Sequence, residues 1–503
     1  MSLTSFSFFV FLIVTLLVYY LIKPLQKYTL FVASVFFYIA ISTSSTLKMC
    51  LLIIYMFAVT YVGAILIEKS KGKLKPVVLA LSIVALVSAL FILKYAFNIF
   101  SVIKAVFSLQ CDVSFLHFVS IIGISYYALS AIGYLVDVYW GLCEAEKNPA
   151  NVGLFIFYFP QLISGPLTRY NDMKPQFDMK TALSYDNISQ GMRRMVWGYF
   201  KKFVISERFA VVVTYAYGHY TDYSFVGILG ATLCYAIRLY TDFSGCMDII
   251  MGASKMFGIE LPENFNAPFF SETIQEFWQR WHISLGVWFK NYVMYPLQKT
   301  RFLQKIGKKA KKTFGKKFGK KIPFYLSMIV LWFLIGIWHG ATGYYFIASA
   351  IIPCVLLLLS DIFQPAFKKA VVSLKIDTQC ESWHYFRRIR TLLLVCICWF
   401  VVCSNGTHAA LSISKHMLAD LWNYTPFATA MGKIGLDVLD ILIMTIGCVL
   451  LFISDRYCYK GTTIFKKMDE QNFFVKVIFI CLELMAIMFF GMVGTSSFIY
   501  FQF

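Results

Sequence analysis

Apolar runs long enough to cross a bilayer recur through most of this chain and leave it little choice of fold. A hydrocarbon layer of about 30 Å takes about 20 helical residues. Inside it the backbone must satisfy its own hydrogen bonds, which a helix does within one segment. Such runs lie near 5–22, 28–47, 49–67, 76–97, 115–139, 151–165, 194–217, 225–251, 323–341, 343–363, 391–408, 432–454 and 473–493. The expected fold is an all-α polytopic membrane protein. No internal repeat, low-complexity segment or soluble linker interrupts it, so one integral domain over 1–503 is the simplest organisation. The stretches 151–165 and 262–297 are broken by Pro, Gly and charge, and read as short or re-entrant helices lining a cavity.

Only 14% of the residues are charged, yet the net charge is +20. In so apolar a chain that excess reads as membrane orientation, which argues against nucleic acid as a partner. Between Lys299 and Lys321 there are eleven basic residues and no acid, which marks a cytoplasmic loop. Lys69, Lys71, Lys73 and Lys75 mark a second, and Arg456, Lys460, Lys466 and Lys467 a third. Counting spans from these places both termini outside a cell (inner, cytoplasmic) membrane. The run Ser5 to Ile22 has no basic region or small-residue cleavage site before it, and reads as a retained first span. The 299–321 loop has two readings, attraction to anionic membrane lipid and docking of an anionic donor or acidic carrier protein. The thirteen cysteines are scattered and none has zinc-site spacing with histidine, so no metal site is expected.

Chemistry is expected where polar residues enter apolar sequence. His339 ends an apolar run that starts at Pro323, about 24 Å earlier at 1.5 Å per helical residue, and so lies within membrane depth. Desolvation favours a neutral imidazole, the form a general base requires; the other reading is a histidine bonded to a nearby carbonyl. From Glu272 to Tyr295 apolar positions recur at helical spacing, which predicts one amphipathic helix carrying His282 beside its Trp-rich stripe. Asn264, Asn266 and Arg280 add polar groups that must find partners there. Asp242 and Asp248 interrupt another apolar run, and Arg238 or Arg280 would pair them. Arg169 follows a helix end and tight turn at 158–168, as a positive-inside anchor or a phosphate ligand.

Several of these segments resemble the membrane-bound O-acyltransferase family, most closely its bacterial alginate O-acetyltransferase branch. They are Phe159-Pro-Gln-Leu-Ile-Ser-Gly-Pro166 with Arg169, Tyr240-Thr-Asp-Phe-Ser-Gly245 with Asp248, and Phe257-Gly-Ile-Glu-Leu-Pro-Glu-Asn-Phe-Asn266. The series continues through Glu276-Phe-Trp-Gln-Arg-Trp-His-Ile-Ser-Leu285, Trp338-His-Gly340 and Phe498-Ile-Tyr-Phe-Gln-Phe503, covering the chain from about 120 onward. Gln279 stands where an arginine is common, Asn291 where an aspartate is common, and no Gly-Gly follows Pro296.

The resemblance implies a ring of about 11–13 membrane helices around a thinned centre, with a cytoplasmic and an external funnel. It implies His339 as the catalytic histidine, His282 in support, and Trp338, Arg280, Trp281, Asp242, Asn264 and Arg169 along the substrate path. No bound cofactor is implied. The acyl donor would be acetyl-coenzyme A or a carrier-protein thioester, and the partner an external SGNH-type acetyltransferase. The closing Phe-x-Tyr-x-x-Phe is similar to the terminal motif of a small partner in the related D-alanylation system, which suggests Tyr500 as an acyl acceptor. An acylated phenol, with a leaving-group pKa near 10, stays reactive enough to pass the acyl group on; the other reading is an interfacial aromatic. The expected function is therefore O-acetylation of an external polysaccharide. D-alanyl transfer is the near alternative, and a transporter or channel or a noncatalytic scaffold are the distant ones.

Overall fold

The computed structural model describes residues 1–41, 46–108, 123–340, 342–421, 432–492 and 498–499. Among them the chain is helical, with no strand and a single isolated bridge between Phe265 and Trp281. The amino-terminal helices are α1 (Phe6–Leu21), α2 (Gln26–Ile41), α3 (Thr46–Lys69), α4 (Leu74–Leu90), α5 (Ala96–Phe107) and α6 (Ile124–Trp140). Next come α7 (Pro149–Phe157), α8 (Tyr170–Asp178), α9 (Tyr185–Tyr199), α10 (Glu207–Gly218) and α11 (Phe225–Met256). The middle of the chain holds α12 (Ile274–Arg280), α13 (Ile283–Phe289), α14 (Tyr295–Lys299), α15 (Arg301–Thr313), α16 (Gly315–Gly319) and α17 (Ile322–His339). The rest are α18 (Gly343–Phe346), α19 (Ile352–Ser373), α20 (Glu381–Cys403), α21 (Thr407–Ala419), α22 (Val438–Tyr459), α23 (Ile464–Asp469) and α24 (Phe473–Phe490).

Among the described residues, seven helical stretches are long and apolar enough to cross a membrane: Lys23–Ile41, Met49–Lys69, Leu74–Tyr95, Gly315–His339, Gly343–Ser373, Val438–Tyr459 and Phe473–Phe490. Their outward apolar residues, such as Val32, Leu81, Phe333 and Met488, are exposed as lipid-facing residues are. This is an all-α polytopic membrane protein. Other apolar runs form shorter helices, such as α6 and α7, helices broken by π turns, as at Phe200–Ser206 between α9 and α10, or parts of long helices that also carry charge, as in α11 and α20. The basic stretch 299–321, expected as a loop, is mostly helical. α15 turns Leu303, Gly307 and Ala310 inward and its lysines outward, because its apolar and small residues recur at three- to four-residue spacing.

The chain divides into two compact units, each assembled from separated stretches. One comprises Met1–Tyr199 and Phe243–Pro262 with the described residues Phe498 and Ile499; the other comprises Phe200–Asp242 and Glu263–Gly494. In the first, α9 lies against the second half of α11 along a seam of glycines. A Cβ on Gly191 would come within 2.6 Å of the Gly252 carbonyl oxygen, and one on Gly252 within 2.6 Å of the Gly191 carbonyl oxygen. Seven residues along, a Cβ on Gly198 would meet the Gly245 carbonyl oxygen at 2.6 Å. Small residues spaced along both helices are what let two backbones meet where no water drives them together.

The backbone atoms across this seam cannot rotate away. Gly252→Ala is expected to destabilise the protein by about 1–3 kcal/mol, the usual range for overpacking. A lowered unfolding temperature of the detergent-purified protein would show it, with Gly230→Ala, where a Cβ meets open space, as the neutral control.

Candidate functional site

The site is built in the second unit around a break in the helix expected over 272–295. α12 ends at Arg280, Trp281 is extended, and His282 adopts a left-handed conformation, φ 47° and ψ 54°, before α13 starts at Ile283. Such a conformation costs a non-glycine residue about 1–2 kcal/mol, so its surroundings must hold it. Asn264 does. Its side-chain oxygen accepts from the Ser284 N–H at 3.0 Å and its carbonyl oxygen from the Ile283 N–H at 3.0 Å. The neighbouring Asn266 N–H donates to the Arg280 carbonyl at 3.1 Å, and Phe265 pairs with Trp281. The polar asparagines noted in the sequence thus supply backbone partners for the break, and the apolar periodicity runs on across it because the chain resumes a helix at once.

His282 is buried, 4% exposed. Its ring centroid lies 6.0 Å from that of Trp338, and Trp338 lies 4.9 Å from His339. Burial first, and the adjacent His339 second, hold the His282 imidazole below the ordinary histidine range. His339 is the last residue of α17 and half-buried. One turn earlier, a Cβ on Gly336 would collide with the Ala350 methyl, so α17 can approach the π turn Ile347–Ile351 only with glycine there. The structure therefore brings together His282, Trp338 and His339 from segments more than fifty residues apart.

Trp281 faces Phe277 at 5.5 Å, Phe265 at 5.0 Å, Trp399 at 5.3 Å and Tyr240 at 6.1 Å, which makes an aromatic wall beside the histidines. Arg280 binds Glu276 at 2.9 Å and the Asn266 carbonyl at 3.0 Å, and lies 5.0 Å over the Tyr459 ring. Asp242 is 1% exposed, and the cation paired with it is neither Arg238 nor Arg280, as expected, but Lys202 at 2.7 Å. Lys202 also binds Glu207 at 2.6 Å. The correction follows from position: Lys202 lies in the π turn beside α11, whereas Arg280 is already engaged by Glu276. The sequence signal was present, since Lys201-Lys202 interrupts an apolar run and buried cations mark paired sites. Asp248 pairs with Arg194 at 2.9 Å in the other unit, where Arg169 also lies, as the residue preceding α8. Tyr500 lies outside the described residues.

Residues 147–373 match the model of the membrane-bound O-acyltransferase family. The chain is similar to a probable alginate O-acetylase AlgI of Pseudomonas syringae pv. tomato, 34% identical over 319 residues, covering 63% of this chain and 56% of that protein. It is similar to a peptidoglycan O-acetyltransferase of Helicobacter pylori, 26% identical over 544 residues, covering 99% of this chain and 97% of that protein. It is also similar to a teichoic acid D-alanyltransferase of Bacillus subtilis, 28% identical over 287 residues, 57% of this chain and 67% of that protein. The matches span about half the length of the alginate relatives, 56% and 53% for the first two.

The Asn264 contacts can be separated from the imidazole itself. Asn264→Ala is expected to cost about 1–3 kcal/mol, the price of a buried N–H left without its acceptor. His282→Asn, a residue that tolerates the left-handed region, should fold normally, whereas His282→Val should lose stability; thermal unfolding in detergent distinguishes the three.

Proposed function

We propose that this chain, which carries a membrane-bound O-acyltransferase domain over residues 147–373, moves an acetyl group from a cytoplasmic thioester to an acceptor on the external side. The observation that carries this reading is the convergence of His339, Trp338 and the buried His282 beside an aromatic wall. In the proposed reaction the imidazole of His339 takes the proton of the acceptor hydroxyl. The hydroxyl oxygen attacks the thioester carbonyl carbon, the C–S bond breaks, and the thiolate receives the proton, leaving an ester and a free thiol. A general base of this kind contributes about 10²–10⁴-fold to the rate. His282 supports it by remaining uncharged: a second cation beside His339 would oppose the protonation the reaction needs.

In this proposal the basic segment 299–321 faces the cytoplasm, the acceptor is Tyr500 or a hydroxyl presented by an external SGNH-type transferase, and the final product is an O-acetylated polysaccharide. The names of the alginate and peptidoglycan relatives support acetyl as the group moved. The teichoic acid relative supports a second reading, D-alanyl transfer from a carrier protein.

His339→Ala should lower acyl transfer by at least about 10²-fold, with membrane insertion and accumulation unchanged. Radiolabelled acetyl-coenzyme A supplied to the purified protein reads this directly, and wild-type transfer by that variant would overturn the mechanism. D-alanyl-loaded carrier protein in the same assay separates the two donors.

A further inference from the structure

One group of side chains in the second unit has more positive charge than its neighbours use. At the start of α12, Glu272 accepts from Arg387 at 2.7 Å and bonds the His384 Nδ1 at 2.7 Å, while Arg390 donates to the Glu272 carbonyl oxygen at 2.7 Å. Arg388 is held differently. Its guanidinium lies 5.4 Å from the Phe270 ring centroid and 5.3 Å from those of both Tyr385 and Tyr459, an aromatic cage that fixes its plane. Its nearest carboxylate oxygen, on Glu272, is 3.9 Å away, too far for a hydrogen bond. Its Nε is buried and has no hydrogen-bond partner among the described residues. With Arg280 and Glu276 included, four guanidinium groups face two carboxylates.

A guanidinium cannot shed its proton, and a buried donor without an acceptor is costly. The cage therefore suits a ligand that brings anionic oxygens. Planar, forked donors match phosphate geometry, which a lysine does not. We propose that Arg388, assisted by Arg387 and Arg390, binds a phosphoryl group of the acyl donor. This rests on the acyl-transfer reading above and names the part of the donor that is recognised. A nucleotide thioester and a phosphopantetheine-bearing carrier share that chemistry. Placement supports it: α12, seven residues or about 10 Å long at 1.5 Å per residue, runs from Glu272 and its arginines to Trp281 and His282. A donor anchored by its phosphate beside Glu272 would have the length of α12 along which to lay its arm toward the histidines. Arg388 would then be a binding residue that touches the donor far from the reacting carbonyl.

The test uses the full chain purified in non-ionic detergent, with coenzyme A and its phosphate-free fragment pantetheine as probes in equilibrium binding. Arg388→Gln should weaken coenzyme A binding about 10- to 100-fold, the worth of hydrogen bonds to a charged group, and leave pantetheine binding unchanged. Arg388→Lys should recover little of the loss. His339→Ala should bind coenzyme A as the wild type does, so a failure of the catalytic assignment remains separate from a failure of this one. In transfer assays Arg388→Gln should raise the KM for acetyl-coenzyme A and not alter turnover of a truncated, phosphate-free acetyl thioester. Equal coenzyme A affinity in wild type and Arg388→Gln overturns the proposal. So does an equal loss for both probes, which would make the cage a packing element. Loss of co-purifying phosphatidylglycerol in native mass spectrometry, with coenzyme A affinity intact, also overturns it and gives the site to a lipid headgroup.

Discussion

The two hydrogen bonds that Asn264 accepts from the amides just after His282 are the contact on which the site depends. A helix passing through apolar surroundings cannot stop and restart without leaving N–H groups open, and there is no water to take them. One asparagine accepts from two successive amides with its side chain and its backbone, so the chain turns through a left-handed residue without that penalty. A continuous helix would set the position of His282 by helical phase, along with its neighbours. The break frees that position, and the imidazole is placed against Trp338. What looks like an irregularity in α12 and α13 is the means by which a side chain on one segment meets a histidine at the end of another.

The wall behind that meeting point is held by buried charge. Asp242 and Glu207 share Lys202, and two residues before Asp242 the Tyr240 hydroxyl donates to Asp455 at 2.8 Å. The Tyr240 ring then packs on Phe265 and Trp281. Removing one member of a buried ion pair costs about 3–5 kcal/mol, because the other is left uncompensated. α11 is thereby tied to the π turn before it and to α22 beyond it, and the ring of Trp281 is fixed from behind. Catalysis that relies on placement needs such rigidity, since small displacements of a base are expensive in rate.

The spans were legible in the sequence because apolar length is a local property that no tertiary contact overrides. His339 was legible for the same reason, as a titratable group at the end of such a run. The shape of the 272–295 segment was not. Its periodicity is carried by Ile274, Phe277, Trp281 and Leu285, which a short break scarcely disturbs, and left-handed backbone at a histidine has no composition signal. The partner of Asp242 was missed because Lys202 lies forty residues away and only the fold brings it near. The glycine seam of α9 and α11 was written in the sequence as paired seven-residue spacings, Gly191 with Gly198 and Gly245 with Gly252, but nothing local says which two helices such spacings join.

The basic residues divide into two kinds that do different work. Those on α15 and α16 are exposed, and at physiological salt their fields fade over about 8 Å. They act on whatever surface lies against them, collectively and without geometry. Arg387 and Arg388 are only 29% and 17% exposed, and they are fixed by a carboxylate and by aromatic rings, while the more exposed Arg390 is held by the Glu272 carbonyl. Charge held in that way is weakly screened and has direction. In the proposed reaction a long anionic donor would meet both kinds, the first raising its concentration at the face and the second aligning it with α12. The charge excess read from composition therefore has two physical causes, and only the structure separates them.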